Sequence, residues 1–419
     1  MKRASRRLGV GSRAFGCLAS GCIAFGSLAA CDATAQAPEL VFDHTADEAW
    51  SSRSTPIPSA IGDLVLITNN LEDAVSYVDL GLDPPAEIMR LPVGLQPVER
   101  EGPHHLALSA DGLTMWVGLS NYVPGSGSGP HGAHGTGTAD GSALLIDVAS
   151  GDLLASVRVD RNPGDIRLTP DGKRVLVTHF DLLRITSASP TSTSDEIASR
   201  LAIIDVATRT REAIVTTCPA THGMAVSPDS KRVYVACWDD QMAIVDLVAA
   251  NHPVELVSVL ALPGTIADPE CQPYALTQSL DGATVWVGCF ESGELRAFDV
   301  AAHAMDPTRV ARLGTSALFG SYLSATTLVV PSQGPDRLSW IDAATGDVAT
   351  SLAFDRADCI LPHVVQPSPD GKRLLVVCEG DRVSPGTLVI VDADSRTVSD
   401  VVPVGRFPDD LAIRPAGTR

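Results

Sequence analysis

Three histidines, a tyrosine and an aspartate recur at one equivalent position in a repeated segment of this chain, and their side chains can bind metal ions. The position follows the residue that opens each segment, and along the chain it reads His104, Gly164, His222, Tyr274, Ala317, His363 and Asp409. Imidazole and carboxylate groups suit zinc or copper. If the segments converge on one axis, His104, His222, His363 and Asp409 form a candidate site for a divalent metal ion.

Further polar residues are expected near the same position, and they form a candidate ligand set at a channel mouth. This set consists of Tyr274, His105, Asp410, His131, His134 and His179. We expect His105 and Asp410 to turn away from the axis, because side chains alternate along a strand. The alternative is that these histidines simply hydrogen-bond water or carbonyl groups, and that the Gly-rich loop 122–140 around His131 and His134 is a flexible spacer.

Motifs for other chemistries are absent from the sequence. It contains no G-x-S-x-G nucleophile motif and no Gly-rich phosphate loop that follows a strand and opens a helix. It contains no C-x-x-C-H motif either, so we expect no covalent haem. No catalytic residue is assigned.

Seven apolar segments that end in aspartate indicate the elements that position these residues. The aspartates are Asp79, Asp147, Asp205, Asp246, Asp299, Asp342 and Asp392. Such a side chain can accept hydrogen bonds from backbone amides of the turn that follows. A hairpin with a turn of the form S-x-D-G precedes most of these strands, as in 106–117 and 166–177. The pattern predicts repeated β-hairpins.

The period of the repeat predicts the fold. The opening residues are Pro103, Pro163, Thr221, Pro273, Ser316, Pro362 and Pro408, at separations of 60, 58, 52, 43, 46 and 46. Four short strands per unit at this period are typical of propeller blades. The tail 407–415 has a first strand only, and the first unit lacks one, so the two ends should pair. We predict an all-β, seven-bladed β-propeller over residues 59–419. A β-sandwich, the alternative, explains neither the period nor the complementary ends.

Six cysteines fall into register with the blades. Three precede the first strand of a blade, and three end the second strand of the same blade. These places are neighbours in an antiparallel hairpin, so one of fifteen pairings is selected. We predict the disulfides Cys218–Cys237, Cys271–Cys289 and Cys359–Cys378. A metal-thiolate site is the alternative, but no C-x-x-C spacing is present.

The segment LITN at 66–69, the S-P-D-G-K-R turns and the DVASG and DAATG strand exits resemble the YVTN family of bacterial β-propeller repeats. The wider family of lactonase-like seven-bladed propellers is similar. The resemblance covers residues 60–415 and implies a secreted or surface-attached protein. It also makes lactone hydrolysis by histidine and aspartate conceivable, although no motif for that activity carries over.

The first thirty residues are typical of an export signal. Five basic residues precede an apolar stretch, and the junction Leu28-Ala29-Ala30-Cys31 resembles a bacterial lipobox. We predict a lipoprotein signal peptide at 1–30, a lipidated Cys31 and a flexible tether at 31–58. The alternative is an ordinary signal peptide with a chance cysteine. The protein is then expected on the cell envelope, in the periplasm or at the cell surface.

Charge excludes one large class of partner. The chain has 31 basic and 50 acidic residues, and loss of the five basic leader residues deepens the net charge from -19 to -24. Nucleic-acid binding depends on basic residues that neutralise phosphates, so we expect no nucleic-acid partner.

We predict a monomeric, lipid-anchored binding scaffold that docks a protein or small molecule at the channel mouth. The alternatives are a metal-dependent enzyme or electron-transfer accessory, a lactonase-like hydrolase, and a purely structural envelope role.

Overall fold

The computed structural model describes residues 56–95, 100–120, 139–189, 191–265 and 268–418. Their strands form seven antiparallel sheets, which confirms the predicted seven-bladed propeller. The predicted signal peptide, Cys31, most of the tether, His131 and His134 lie outside the described residues. In the described part of the chain, no helix is long and apolar enough to cross a membrane.

Each sheet is one blade, and the strands of each blade are given from the channel outward. Blade one contains β29 (Pro408–Arg414), β1 (Leu64–Asn69), β2 (Ala74–Asp79) and β3 (Ala86–Pro92). Blade two contains β4 (Pro103–Leu108), β5 (Thr114–Leu119), β6 (Asp140–Asp147) and β7 (Leu153–Arg161). Blade three contains β8 (Pro163–Leu168), β9 (Arg174–His179), β10 (Ala198–Asp205) and β11 (Thr210–Pro219). Blade four contains β12 (Met224–Val226), β13 (Arg232–Cys237), β14 (Gln241–Asp246) and β15 (Val254–Ser258).

The remaining blades follow the same plan. Blade five contains β16 (Pro273–Gln278), β17 (Thr284–Cys289), β18 (Glu294–Asp299) and β19 (Ala304–Arg312). Blade six contains β20 (Thr315–Ala317), β22 (Thr327–Gln333), β23 (Arg337–Asp342) and β24 (Val348–Ala353), with β21 (Ser321–Ser324) also paired to β22. Blade seven contains β25 (Pro362–Pro367), β26 (Arg373–Cys378), β27 (Thr387–Asp392) and β28 (Thr397–Pro403). A helix, α1 (Leu182–Thr186), follows β9, and a 3-10 helix (Asn70–Glu72) joins β1 to β2.

The two ends of the chain close the ring. Strand β29 pairs antiparallel with β1, so that Leu64 lies opposite Arg414 and Leu66 opposite Ala412. The innermost strand of blade one therefore comes from the C-terminal tail, as the sequence predicts. Closure leaves no open edge at the join between the first and last units.

Burial differs between the middle and outer strands of a blade. Every residue of β1 and β2 is buried, whereas β15 and β24 are mostly exposed. The middle strands are covered by neighbouring blades on both faces, so their sequences read as apolar runs. The outer strands border solvent and carry polar side chains.

Turn chemistry and disulfides follow the sequence predictions. Each of the seven strand-ending aspartates accepts a backbone N–H from the adjoining turn, among them Asp147 from Ser150 and Asp392 from Ser395. The disulfides Cys218–Cys237, Cys271–Cys289 and Cys359–Cys378 are all present, with Cα separations of 5.6, 4.7 and 5.3 Å. They join the start of the first strand region to the end of the second strand in blades four, five and seven.

Candidate functional site

The inner strands bring the predicted column of residues together at the centre of the ring. His104 Nε2 lies 3.9 Å from Asp409 Oδ2, and His363 Nδ1 lies 3.7 Å from Asp409 Oδ1. The rings of His104 and His222 are 5.1 Å apart between centroids. His222 Nε2 is 2.7 Å from Tyr274 Oη. Residues from blades one, two, four, five and seven thus meet on one axis.

The expectation that His105 and Asp410 turn away from the axis is wrong. His105 Nδ1 lies 3.0 Å from Asp165 Oδ1 and 3.4 Å from Asp410 Oδ2, and its ring is 5.4 Å from that of His222. The pairing register shifts at the start of β4, between Pro103 and Leu106. Such a bulge interrupts the alternation of side chains. Consecutive residues of the inner strands therefore both face the channel.

The structure adds two carboxylates that the sequence analysis missed. Asp165 stands one residue after the column position in blade three, where it pairs with His105. Glu379 directly follows β26, and its carboxylate lies within 4.8 Å of ligand atoms of His363 and Asp409. The repeat register could have identified Asp165, because it aligns with His105 and Asp410. We call the whole set the central cluster, and its members are His104, His105, Asp165, His222, Tyr274, His363, Glu379, Asp409 and Asp410.

The central cluster is buried, which corrects the expectation that its residues line the mouth of the channel. Eight of its nine members are 0% exposed, and the ninth, Tyr274, is 2% exposed. Aromatic residues that follow the second strands of blades three, four and five cover it on one side. Phe180 lies 5.0 Å from the His222 ring, Phe290 lies 5.3 Å from the Tyr274 ring, and Trp238 packs on Phe180 at 5.8 Å.

Phe319 covers the central cluster on the other side. The inner strand of blade six is broken into β20 and β21, and Phe319 lies between them. Its backbone N–H donates to His363 O at 3.2 Å, and its carbonyl accepts from Val365 N–H at 3.1 Å. The Phe319 ring is 5.0 Å from that of His105 and 5.4 Å from that of His363. The break thus places an apolar side chain across the channel.

His179 is buried but does not contribute a ligand atom to the central cluster. Its Nε2 accepts the Asp160 N–H at 2.9 Å, and its Nδ1 donates to Arg200 O at 2.5 Å. Both ring nitrogens therefore contact backbone groups, one in blade two and one in blade three. The pKa of His179 is lowered to about 4, because burial disfavours the charged ring more than Asp160 favours it.

Electrostatics divides the central cluster into two parts. Burial lowers the pKa of His105, but Asp410 and Asp165 outweigh it and raise the pKa to about 9. Burial raises the pKa of Asp410, but His105 and Arg167 bring it down to about 2. These groups form a compensated ionic network.

The second part contains Asp409 and Glu379, whose carboxylates repel each other when both are ionised. Burial raises the pKa of Asp409 well above its ordinary value, and the nearby Glu379 carboxylate adds to this rise. Burial also raises the pKa of Glu379, against the attraction of His363. Two buried carboxyl groups in this position favour a proton or a cation between them.

The central cluster contains three groups of residues whose ligand atoms lie within 4.8 Å of one another, which is close enough for a shared metal ion. They are His104, His105 and His222, then His105, Asp165 and Asp410, and finally His363, Glu379 and Asp409. His104 Nδ1 contacts Pro163 O at 3.3 Å, and His363 Nδ1 contacts Asp409 O at 2.7 Å. A carbonyl oxygen can only accept, so in both rings Nδ1 carries the proton. A neutral ring in this tautomer has its lone pair on Nε2, which is the usual arrangement of a metal-binding histidine.

Comparison with known proteins supports the fold. No family model matches the chain, and no curated protein matches it in sequence. A periplasmic gluconolactonase of Pseudomonas aeruginosa aligns with TM-score 0.62 and 17% identity over 84% of this chain and 99% of that one. A Bacteroides uniformis protein, provisionally a 6-phosphogluconolactonase, aligns with TM-score 0.62 and 15% identity over 84% and 100% of the two chains. Kuenenia stuttgartiensis hydrazine synthase aligns with TM-score 0.58 and 17% identity over 77% and 99%. At these identities the likeness shows a shared propeller fold alone.

Proposed function

We propose that this protein is a lipid-anchored, extracytoplasmic β-propeller that binds a divalent transition-metal ion at the centre of its ring. One observation carries the proposal. His104 and His363 both have Nδ1 fixed by a backbone carbonyl, and both lie beside the buried carboxyl group of Asp409. The proposed ligands are His363, Glu379 and Asp409, which form one group of ligand atoms, and His104, which lies 3.9 Å from Asp409.

The donor set determines which metals the site would take. Two imidazoles and two carboxylates are intermediate between hard and soft ligands, and they suit zinc, manganese or iron, and also copper. A bound cation would relieve the repulsion between Asp409 and Glu379. His222 belongs to the ligand set expected from sequence, but its Nε2 contacts Tyr274. We therefore place His222 beside the metal ligands rather than among them.

Metal content tests this proposal directly. Mature protein purified without chelators is analysed by elemental mass spectrometry, before and after equilibration with zinc, manganese, iron and copper salts. We expect about one ion per chain. His363→Ala and Asp409→Asn should bind at least tenfold more weakly. His303→Ala is the matched control, because His303 is an exposed histidine that pairs with Glu255 far from the channel residues.

Two results would contradict the metal site. One is the absence of stoichiometric metal under every loading condition, in protein whose circular dichroism shows a folded state. The other is equal metal affinity in the wild type, His363→Ala and Asp409→Asn. Asp409→Asn preserves the size of the side chain, so a loss of binding in that variant does not follow from a cavity.

The envelope location rests on the leader and on the YVTN-type repeats. The basic start, the apolar stretch and the Leu28-Ala29-Ala30-Cys31 junction support cleavage before Cys31, its lipidation and a tether up to residue 58. We infer a monomer held at the membrane by lipid alone. Mass spectrometry of the mature N-terminus tests this inference, since an unmodified cysteine or a leader that remains attached would contradict it.

A lactonase-like hydrolase is a second candidate, and the named gluconolactonase among the structural neighbours favours it. Substrate would have to reach the central cluster past Phe319 or the layer of Phe180, Trp238 and Phe290. Turnover of small lactones that is lost in His222→Ala and His363→Ala would establish this function. A scaffold that docks a partner at the channel mouth would have to use the surrounding loops, because the central cluster is buried.

A further inference from the structure

The channel has a second, chemically different end on the far side of Phe319. A cavity of about 190 Å³ is lined there by Phe319 together with Arg167, Thr277, Gln278, Ser321 and Gln366. An adjoining cavity of about 410 Å³ shares Arg167 and Gln366 and extends to the S-x-D-G turn of blade two. The larger volume lies in the range of small-ligand pockets, about 300–1,000 Å³.

These two cavities expose a cation and no lining carboxylate, although the chain as a whole is acidic. The protein has 50 acidic residues and a net charge of -19. Neither cavity is lined by an aspartate or a glutamate, and Arg167 is the one charged residue in both linings. Apolar residues such as Leu276, Val365 and Leu411 alternate in the wall with neutral polar groups. The lining therefore combines one cation with apolar side chains and uncharged polar groups.

Arg167 presents its guanidinium to the cavity. Its Nε lies 3.0 Å from the Asp165 carboxylate, and its guanidinium carbon is 5.8 Å from the centre of the Phe319 ring. Within the described residues, Nη1 and Nη2 have no hydrogen-bond acceptor on the protein, and the side chain is 28% exposed. Asp165 also accepts the Met224 N–H at 3.0 Å and pairs with His105, so Arg167 is not its sole partner.

We propose that this end of the channel is a binding site for a small organic carboxylate with an apolar body. The two Nη groups form a planar fork that matches a carboxylate, and such charge-assisted pairs are among the stronger hydrogen bonds. The Ser321 hydroxyl, which lines the cavity from blade six, supplies another donor. Phe319 and the aliphatic wall bury the rest of the ligand. The site shares no residue with the proposed metal ligands.

Calorimetric titration of the mature protein tests this site. Benzoate and hexanoate are the carboxylate probes, benzamide is the neutral probe, and inorganic phosphate is the compact anion. We expect one carboxylate per chain, at least tenfold weaker binding of benzamide and phosphate, and the same result in chelator-treated and metal-loaded protein. That last comparison separates this proposal from the metal proposal.

Substitutions of cavity residues test whether the carboxylate binds beside Arg167. Arg167→Lys keeps a positive charge beside Asp165 but loses the fork, and we expect at least tenfold weaker benzoate binding. Ser321→Leu narrows the cavity and leaves Arg167 in place, so it should weaken binding equally. Arg174→Lys is the control, because Arg174 pairs with Glu212 at the blade surface. Equal binding of benzoate and benzamide, a preference for phosphate, or unchanged affinity in both Arg167→Lys and Ser321→Leu would overturn the proposal.

Discussion

The buried histidines of this propeller differ in what their two ring nitrogens contact. Both nitrogens of His179 are engaged by backbone groups of Asp160 and Arg200. In His104 the Nδ1 side meets a carbonyl, while Nε2 lies toward the Asp409 carboxylate. Burial alone therefore does not identify a metal ligand. The position of the second nitrogen separates a structural histidine from a candidate ligand.

His179 should make the stability of the protein depend on pH. Its pKa is about 4 in the folded state, because burial outweighs the attraction of Asp160, with Arg200 and Asp181 as the other nearby charges. An unfolded histidine has a pKa of about 6.5, so the unfolded chain binds the extra proton between these values. The free energy of unfolding should fall by roughly 3 kcal/mol as the pH drops from 6.5 to 4. We measure the free energy of unfolding by urea titration at pH 7.5 and 4.5. His179→Gln should show a smaller fall in this free energy between the two pH values than the wild type. An identical fall in both proteins would contradict the role of His179.

The sequence predicts which residues converge but not how deeply they lie. The period of the repeat places His104, His222, Tyr274, His363 and Asp409 at one height, and the structure brings them together. The sequence cannot show that the register shift after Pro103 turns His105 inward, because that shift depends on backbone geometry. Glu379 is not predicted, because it follows the second strand of its blade and the column contains only residues at the start of inner strands.

At the scale of elements, the disulfides anchor the strands that supply the central cluster. Cys378 directly precedes Glu379, and Cys359 lies four residues before His363. Cys271 lies three residues before Tyr274, and Cys218 lies four before His222. The bridges thus fix the hairpin ends from which these side chains extend.

Removal of each disulfide should have a similar effect on stability and a different effect on metal binding. The three bridges span 19, 18 and 19 residues, so each Cys→Ala pair should cost about 3 kcal/mol in the chain-entropy account. Urea unfolding of the three double variants measures this cost. Loss of Cys359–Cys378 should also weaken metal binding, because it frees His363 and Glu379. Loss of Cys218–Cys237 is the matched control, and equal metal affinities in both variants would count against the link.

Blade six is the element that the sequence predicts least well. Its inner segment lacks the S-x-D-G turn, and the structure replaces a single strand with β20, β21 and the intervening Phe319. The parallel contact between Phe319 and Val364 depends on blade seven, which is distant in sequence. Local patterns do not encode such a contact between blades. The separation of the channel into a buried cluster and an open Arg167 cavity follows from this one irregular element.

For the whole molecule, the repeat makes the fold predictable because each blade must cover its neighbours. A blade with apolar faces on both sides is stable only inside a ring. Each blade contains one strand that ends in aspartate, so the seven aspartates give the number of blades. The separate units also explain why function is less predictable than fold. The central cluster takes one or two residues from each of several blades, so no local motif contains it.

Ring closure by β29 should be essential for a stable fold. This strand covers β1 and contributes the buried Leu411, Asp409 and Asp410. Its removal would expose the edge of a buried strand and leave His105 without one of its two carboxylates. We expect a chain that ends at residue 405 to lose its cooperative thermal transition or aggregate, and a synthetic peptide of residues 406–419 to restore the transition. Deletion of residues 418 and 419 alone, beyond β29, is the control. If the chain that ends at residue 405 unfolds at the full-length temperature, closure does not hold the ring together.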